Sequence, residues 1–202
     1  MGIPVLVLGE SGSGKSTSLR NFDPKEVAVF NVASKPLPFR NKIEAVANGV
    51  SYGQIFASLR KGKFKRYVID DSQYLLCFEF FQKANEVGYN KFTSMALNFY
   101  QLIKCVIDET PPDCIVYFLH HTETTNEGKV KAKTIGKMLD EKLTVEGLFS
   151  IVLMCQTDGT NHNFITQSDG STPAKSPMEM FDLVIDNDLA LVDAKIREYY
   201  GL

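Results

Sequence analysis

Cysteine is sparse and scattered. Cys77, Cys105, Cys114 and Cys155 lie far apart with no C-x-x-C pair among them, which argues against a zinc site or a disulfide scaffold and fits buried thiols in a reducing compartment. Long apolar runs are missing: no stretch could span a membrane, and the chain enters a strand-like run at Ile3 without the zones of a signal peptide. A cytoplasmic protein with no membrane partner is expected. Neither charge is in large excess. With a formal net charge of -2, nothing draws the whole molecule to nucleic acid or acidic lipid, so any polyanion site must be a local patch. Arginine occurs at only five positions (Arg20, Arg40, Arg60, Arg66 and Arg197), and no two share a lid-like segment. That weighs against a small-molecule phosphotransferase, which would close cations over its acceptor. Internal repeats, low-complexity tracts and domain boundaries are also absent. At 202 residues and 44% hydrophobic, the chain is long and apolar enough for one ordinary domain over 1–202 with a real core.

What is present begins at once. Gly9-Glu10-Ser11-Gly12-Ser13-Gly14-Lys15-Ser16 fits G-x-x-x-x-G-K-[ST] in full. The apolar run Ile3 to Leu8 precedes it at strand length, and Lys15 to Arg20 can continue as a helix that stops near Asn21 to Pro24. Strand, glycine-rich loop and helix start make a phosphate cradle, in which loop N–H groups and the positive helix end face an anion. Gly9, Ser11, Gly12, Ser13 and Gly14 would form the cradle. Lys15 would reach the β- and γ-phosphates, Ser16 would complete a Mg²⁺ shell, and Thr17 would lie near the α-phosphate. The pattern predicts a nucleoside triphosphate ligand.

Further along, Glu26 to Val32 is a second strand candidate, and Ser34 to Arg40, with its prolines, a loop. Ile43 to Val50 ends in an Asn48-Gly49 turn, and Tyr52 to Leu59 has helical spacing. After the basic loop Lys61 to Arg66, Tyr67-Val68-Ile69-Asp70-Asp71-Ser72 is an apolar run ending in acid, about 55 residues beyond the cradle. Such a strand end holds Mg²⁺ beside the phosphate loop, the Walker B arrangement. Which aspartate does so is open at this level. Asp70 is the preferred metal carboxylate, with Asp71 placed to polarise the attacking water. Gln73 to Val87 and Lys91 to Glu109 read as long helices. Tyr74, Phe78, Phe81 and Phe92, Met95, Phe99, Ile103, Ile107 are taken as core stripes, with Gly88 breaking the first helix.

Cys114 to Leu119 is a continuous apolar run, as a strand covered on both faces should be. It leads into His120-His121-Thr122-Glu123. One of the two histidines, with His120 preferred, would sense the γ-phosphate, and Glu123 would orient water; the alternative is ordinary loop residues bonded to backbone. Lys129, Lys131 and Lys133 share a side if extended and could follow a sugar-phosphate backbone. The competing reading is a strand edge protected by lysines. Phe149 to Cys155 and Asn161 to Gln167 read as a hairpin, Ser168 to Pro177 as a mobile loop carrying Lys175, and Asp186-Asn187-Asp188 as the cap of a last helix. That helix, Leu189 to Tyr200, has an apolar face at Leu189, Val192, Ile196 and Tyr199. Strands alternating with helices after a phosphate loop predict a three-layer α/β P-loop NTPase with a mostly parallel central sheet, a C-terminal hairpin and a final helix.

The chain resembles the RecA-like core ATPases of bacteriophages, including those that promote single-strand annealing, and is similar to small phage ATP-binding proteins of AAA type. Gly9 to Thr17, Val68-Ile69-Asp70-Asp71-Ser72 and the strand ending in His120-His121-Thr122-Glu123 carry the resemblance. So do Thr166 to Gly170, Ala174 to Phe181 and Ile185 to Leu189. It spans nearly the whole chain, although only the Walker motifs are specific to a chemistry. The resemblance implies a RecA-like sheet in which the strand ending at His120-His121 separates the Walker B strand from the phosphate-loop strand. It implies ATP and Mg²⁺ at Lys15, Ser16 and Asp70, assembly into a homo-oligomeric ring or filament, and single-stranded DNA bound by Glu127 to Lys137 and Gln167 to Lys175. A phage single-strand-binding protein would be a further partner. Lys175 could act on a neighbour's γ-phosphate, although a loop lysine is more often simply solvated. The pattern departs from full recombinases in two ways. Asn31-Val32-Ala33-Ser34 stands where the second strand would end in a catalytic glutamate, so Asp71 or Glu123 must activate water, or hydrolysis is slow. The chain also starts at the first strand, where recombinases carry a polymerisation segment.

Overall fold

The computed structural model describes all residues, 1–202. Nine strands form one mixed sheet. They are β1 (Ile3–Gly9), β2 (Val27–Asn31), β3 (Ala45–Asn48), β4 (Arg66–Asp70), β5 (Ile115–Thr124), β6 (Val130–Ala132), β7 (Ile151–Thr157), β8 (His162–Ile165) and β9 (Val184–Asp186). The order across the sheet is β3-β2-β4-β5-β1-β7-β8-β9, with β6 paired to β5. From β3 to β7 all neighbours are parallel, while β8, β9 and β6 pair antiparallel. The expected neighbourhood holds: β5 lies between β1 and β4.

Four α-helices cover the sheet: α1 (Tyr52–Lys61), α2 (Gln73–Gln82), α3 (Asn90–Glu109) and α4 (Leu189–Tyr200). Strand alternation divides the core between two faces. Leu6, Leu8, Ile69 and Phe118 pack with Ile55, Leu76 and Phe99 from α1, α2 and α3. Val5, Val7, Val68 and Leu119 pack with Leu19 and with Leu189, Val192 and Ile196 of α4. The result is an α/β/α sandwich whose central strands are apolar on both sides, as buried parallel strands must be.

Several expectations are corrected. The glycine-rich loop is followed by a single 3-10 turn, Ser16–Leu19, rather than a longer helix. Helix α2 stops at Gln82, well before Gly88: past it come Lys83, Ala84, Asn85 and Glu86, and Val87 is fully in solvent. Lys83 closes this end by reaching back to Glu79 and across to Ser94 of α3. Phe78 and Phe81 are exposed, because α2 is apolar all round and its buried side is set by Leu75 and Leu76. Tyr199 likewise faces solvent. Strand β5 continues through His120 and His121 to Thr124, where the sequence predicts an end, because β6 supplies an antiparallel partner. The short β3 and β9 carry too few residues for a legible period. The segment 168–177 is held down: the Lys175 backbone exchanges two hydrogen bonds with Val152, at 2.8 and 2.9 Å, and Ser171 accepts from Val130.

Helix α4 is fastened to the sheet by charge. Asp193, almost fully buried, accepts from Arg66 Nε at 2.6 Å, Arg197 Nε at 2.8 Å and the Tyr117 hydroxyl at 3.0 Å. Removing the carboxylate strands these donors in the core. Asp193→Ala should therefore lower unfolding stability by about 3 kcal/mol, seen as a reduced urea midpoint with an unchanged denaturant slope.

Candidate functional site

The parallel strands β1, β2 and β4 end on one edge of the sheet, and β5 runs on past them to Thr124. Gly9 of β1 pairs in register with His121 of β5, and Asn31 of β2 with Asp70 of β4. The glycine-rich segment leaves β1 at this edge, where open α/β sheets bind their ligands. A cleft of about 300 Å³ opens there, and no hydrophobic residue lines it. Ser11, Gly12, Gly14, Lys15, Ser16 and Thr17 form one wall. Asp70, Asp71 and His121 close the sheet side, and Lys35, Pro36, Pro38 and His162 complete the rim. So polar a lining suits a polyphosphate better than an apolar ligand. A larger groove of about 760 Å³ lies between β9 and α4, lined by Met180, Phe181, Val184, Ile185 and Leu191 among others; none of the predicted site residues reaches it.

At Gly9 and Gly14 the loop has no room for a side chain. At Gly9 a Cβ would stand 2.4 Å from Ser13 Oγ and 3.1 Å from Cys155. Gly14 has φ +99, and a Cβ there would stand 2.8 Å from His162 Nδ1. Beneath the loop, the carbonyl of Ser13 accepts from the Cys155 thiol at 2.8 Å and meets His162 Nδ1 at 2.9 Å. A carbonyl can only accept, so Nδ1 carries the imidazole proton. Cys155 is thus a buried support for the loop, and burial pushes its thiol up.

Lys15 is almost fully buried, and its ammonium donates to the carbonyls of Gly9 at 2.8 Å and Glu10 at 2.7 Å. Burial lowers its pKa, with Cys155, Asp71 and Asp70 opposing. Ser16 Oγ donates to Asp70 Oδ1 at 2.8 Å, joining the loop to β4. Burial raises the Asp70 pKa against that hydrogen bond. A hydroxyl and a carboxylate at hydrogen-bond distance in an otherwise oxygen-rich cleft are hard donors of the type Mg²⁺ takes together with phosphate oxygens and water.

Asp71 sits directly after β4 at φ 58, an uncommon backbone region for a residue with a side chain. Its Oδ1 meets His121 Nε2 at 3.1 Å and its Oδ2 meets Lys35 Nζ at 2.5 Å. Burial would raise its pKa, but the hydrogen bonds and charges of His121 and Lys35 prevail and hold it below the usual carboxylate range. Asp71 is therefore an ionised acceptor with a partner on each oxygen.

The structure divides the remaining predicted residues. His121 lines the cleft, while His120 is fully buried on the other face. There His120 Nε2 donates to the carbonyl of Lys133 at 2.8 Å and Nδ1 meets the Ser72 hydroxyl at 2.9 Å. The preference for His120 as the phosphate sensor is corrected: adjacent strand residues point to opposite faces, and His121 has the cleft side. Glu123 also lies outside the cleft, on the β5–β6 hairpin, in an ion pair with Lys131 at 3.1 Å. Lys131 additionally pairs with Asp140, while Lys129 and Lys133 are exposed. Lys175 lies beside Val152, a residue paired with Leu6, well short of the cleft end of β1. Lys35 and His162 are cleft residues that the sequence reading missed. A histidine in a short strand and a lysine among prolines carry no periodic or motif signal.

Burial depresses the His120 pKa from 6.5 to about 4. The unfolded chain thus binds a proton here that the folded chain refuses. Stability from neutral His120 is complete above pH 6.5 and is lost as pH falls toward 4. At pH 4.5 this single group should remove about 2.5 kcal/mol relative to pH 7. Urea midpoints across that range should fall less steeply for His120→Gln than for the wild type.

Compared with known proteins, the chain matches no family model and no curated protein.

Proposed function

We propose that this chain is a RecA-like P-loop ATPase that binds ATP with Mg²⁺ and uses its nucleotide state to control single-stranded DNA binding and annealing. The Ser16–Asp70 hydrogen bond, 2.8 Å long at the mouth of the glycine-rich loop, carries the reading. It joins the two residues that a Mg²⁺-nucleotide site of this type requires, from segments far apart in sequence. The charged and hydroxyl side chains that line the cleft and the order β4-β5-β1 support it.

In this reading the loop N–H groups and Lys15 bind the phosphates. Lys15 trades the carbonyls of Gly9 and Glu10 for phosphate oxygens and stabilises charge on the transferring group. Ser16 and Asp70 would hold Mg²⁺, which when bound would supply positive charge against the phosphate oxygens. Asp71 accepts a hydrogen bond from the attacking water, and His121 orients Asp71. As the water oxygen bonds to the γ-phosphorus, the bond to the β-bridging oxygen breaks, and the water proton leaves to the phosphate product or solvent. Glu123, tied to Lys131 away from the cleft, takes no part.

The DNA contact is assigned to the hairpin that continues β5 beyond His121. Lys129 and Lys133 at its exposed edge are the cations for the sugar-phosphate backbone, whereas Lys131 is neutralised by Glu123 and Asp140. Because β5 carries both His121 and the hairpin, one strand connects phosphate to DNA. Exposed Phe81, Val87 and Tyr89 near the α2–α3 turn, and Leu183, Val184 and Leu191 near β9, favour assembly with further copies of the chain. A second reading, a nucleotide-gated assembly protein with little hydrolysis, draws on one observation. Both oxygens of Asp71 are occupied, and Asn31 at the end of β2 bonds the Lys35 carbonyl and Asn48.

Phosphate release from ATP should rise on adding long single-stranded DNA and vanish in Lys15→Ala. Lys15-dependent hydrolysis that ignores DNA would refute the coupling, and stable ATP binding with negligible turnover would favour the second reading. The Lys129→Ala/Lys133→Ala double variant should bind single-stranded DNA more weakly. The slope of its log affinity against log salt should be shallower by about 1.4, from roughly 0.7 per phosphate contact.

A further inference from the structure

The loop after β2 presents a cation to the cleft, and the fold goes to some length to place it. Asn31, buried at the end of β2, donates from Nδ2 to the carbonyl of Lys35 at 2.6 Å and to Asn48 Oδ1 at 2.8 Å. Ser34, at φ 56, reverses the chain just before Lys35, and Pro36 and Pro38 stiffen the wall beyond it. The chain has three non-glycine residues at positive φ, and two of them, Ser34 and Asp71, flank the Lys35–Asp71 ion pair. Unfavourable backbone gathered at one contact is typical of a functional site. The Lys35 side chain is 58% exposed, with its ammonium 2.5 Å from Asp71 and 5.3 Å from the centre of the Tyr74 ring. It is tethered at its backbone by Asn31 and at its tip by Asp71.

The cleft's charges sharpen the point. Lys15 and Lys35 face Asp70 and Asp71, and His121 and His162 complete its titratable groups. Lys15 serves the loop itself. A third phosphate adds negative charge to a cleft that already holds two carboxylates, and Lys35 is the other lysine available to meet it. Lys35 is the water-facing partner of its ion pair and Asp71 the buried one, with His121 as the carboxylate's second partner. An ammonium bound to a phosphate oxyanion forms a charge-assisted bond about twice as strong as a neutral one. The pair with Asp71 is charge-assisted as well, so the exchange needs the greater negative charge that a terminal phosphate brings.

We propose that Lys35 is the terminal-phosphate sensor of this cleft: it leaves Asp71 for the γ-phosphate of a bound nucleoside triphosphate and makes no such contact with a diphosphate. Asp71 then keeps only His121. This inference rests on the reading of the cleft as a nucleoside triphosphate site.

The test is equilibrium titration of the full chain, with Mg²⁺, by ADP and by the non-hydrolysable triphosphate AMP-PNP. Lys35→Ala should weaken AMP-PNP binding about tenfold, the equivalent of one charge-assisted hydrogen bond, and change ADP binding by no more than about twofold. Lys35→Met, which keeps the stem beside Tyr74 and drops the charge, should match Lys35→Ala, and Lys35→Arg should restore the preference. Melting curves without nucleotide confirm that each variant is folded. Equal losses for both nucleotides, or an unchanged ratio, would overturn the sensor role while leaving the triphosphate site intact. If the wild type binds neither nucleotide, or Lys15→Ala binds both as the wild type does, the triphosphate reading itself fails and the sensor with it.

Discussion

The hydrogen bond from Ser16 to Asp70 is the contact on which the arrangement of this molecule turns. It closes a separation of 54 residues and joins the loop after β1 to the end of β4, two strands that are not neighbours. Strand β5 stands between them, and the parallel registers hold Gly9 level with His121 and Asn31 level with Asp70. A slip of one residue in either register would turn the strand's apolar residues toward the wrong layer, so packing on both faces protects the alignment. Core and site are specified by the same alternation.

Burial gives the charges of the cleft their weight. Lys15 and Asp70 are both pushed toward their neutral forms, while Asp71 is pulled toward its ionised form by His121 and Lys35. Adjacent aspartates on one chain thus have opposite tendencies. Burial outweighs the single neutral hydroxyl beside Asp70, whereas at Asp71 an imidazole and a cation outweigh burial. In the proposed reading, phosphate and Mg²⁺ would add further charges for these groups to balance. On the far face, Arg66, Arg197 and Tyr117 gather round Asp193 and keep α4 against the strands that carry the cleft.

Strand β5 shows how one residue of parity assigns roles. His120 packs against the Phe99 ring at 5.6 Å and holds the carbonyl of Lys133, anchoring the base of the hairpin. His121 turns the other way, to Asp71 and the edge of Tyr74. Two like residues, side by side, become a structural pin and a cleft ligand. Extending β5 through its pairing with β6 also carries Glu123 beyond the cleft into the company of Lys131.

The glycine loop, the acid-ended strand β4, the apolar run of β5, α1, α3 and the capped α4 were all legible in the sequence, because each has a local cause: a spacing, a period or a cap. The meeting of Ser11, Gly12, Gly14 to Thr17, Asp70 and Asp71 in one cleft followed from motif chemistry, whereas Gly9 and Ser13 of the same motif lie outside its lining. Tertiary structure decided whatever depends on a partner distant in sequence. It chose His121 over His120 by strand parity, chose the buried side of the uniformly apolar α2 by contact, and extended β5 by giving it β6. It also brought Lys35 and His162 to the cleft from a proline-rich loop and a four-residue strand. Local sequence determines what a segment can be. Which residues meet, and hence which charges they shift, follows only from the register and order of the strands that carry them.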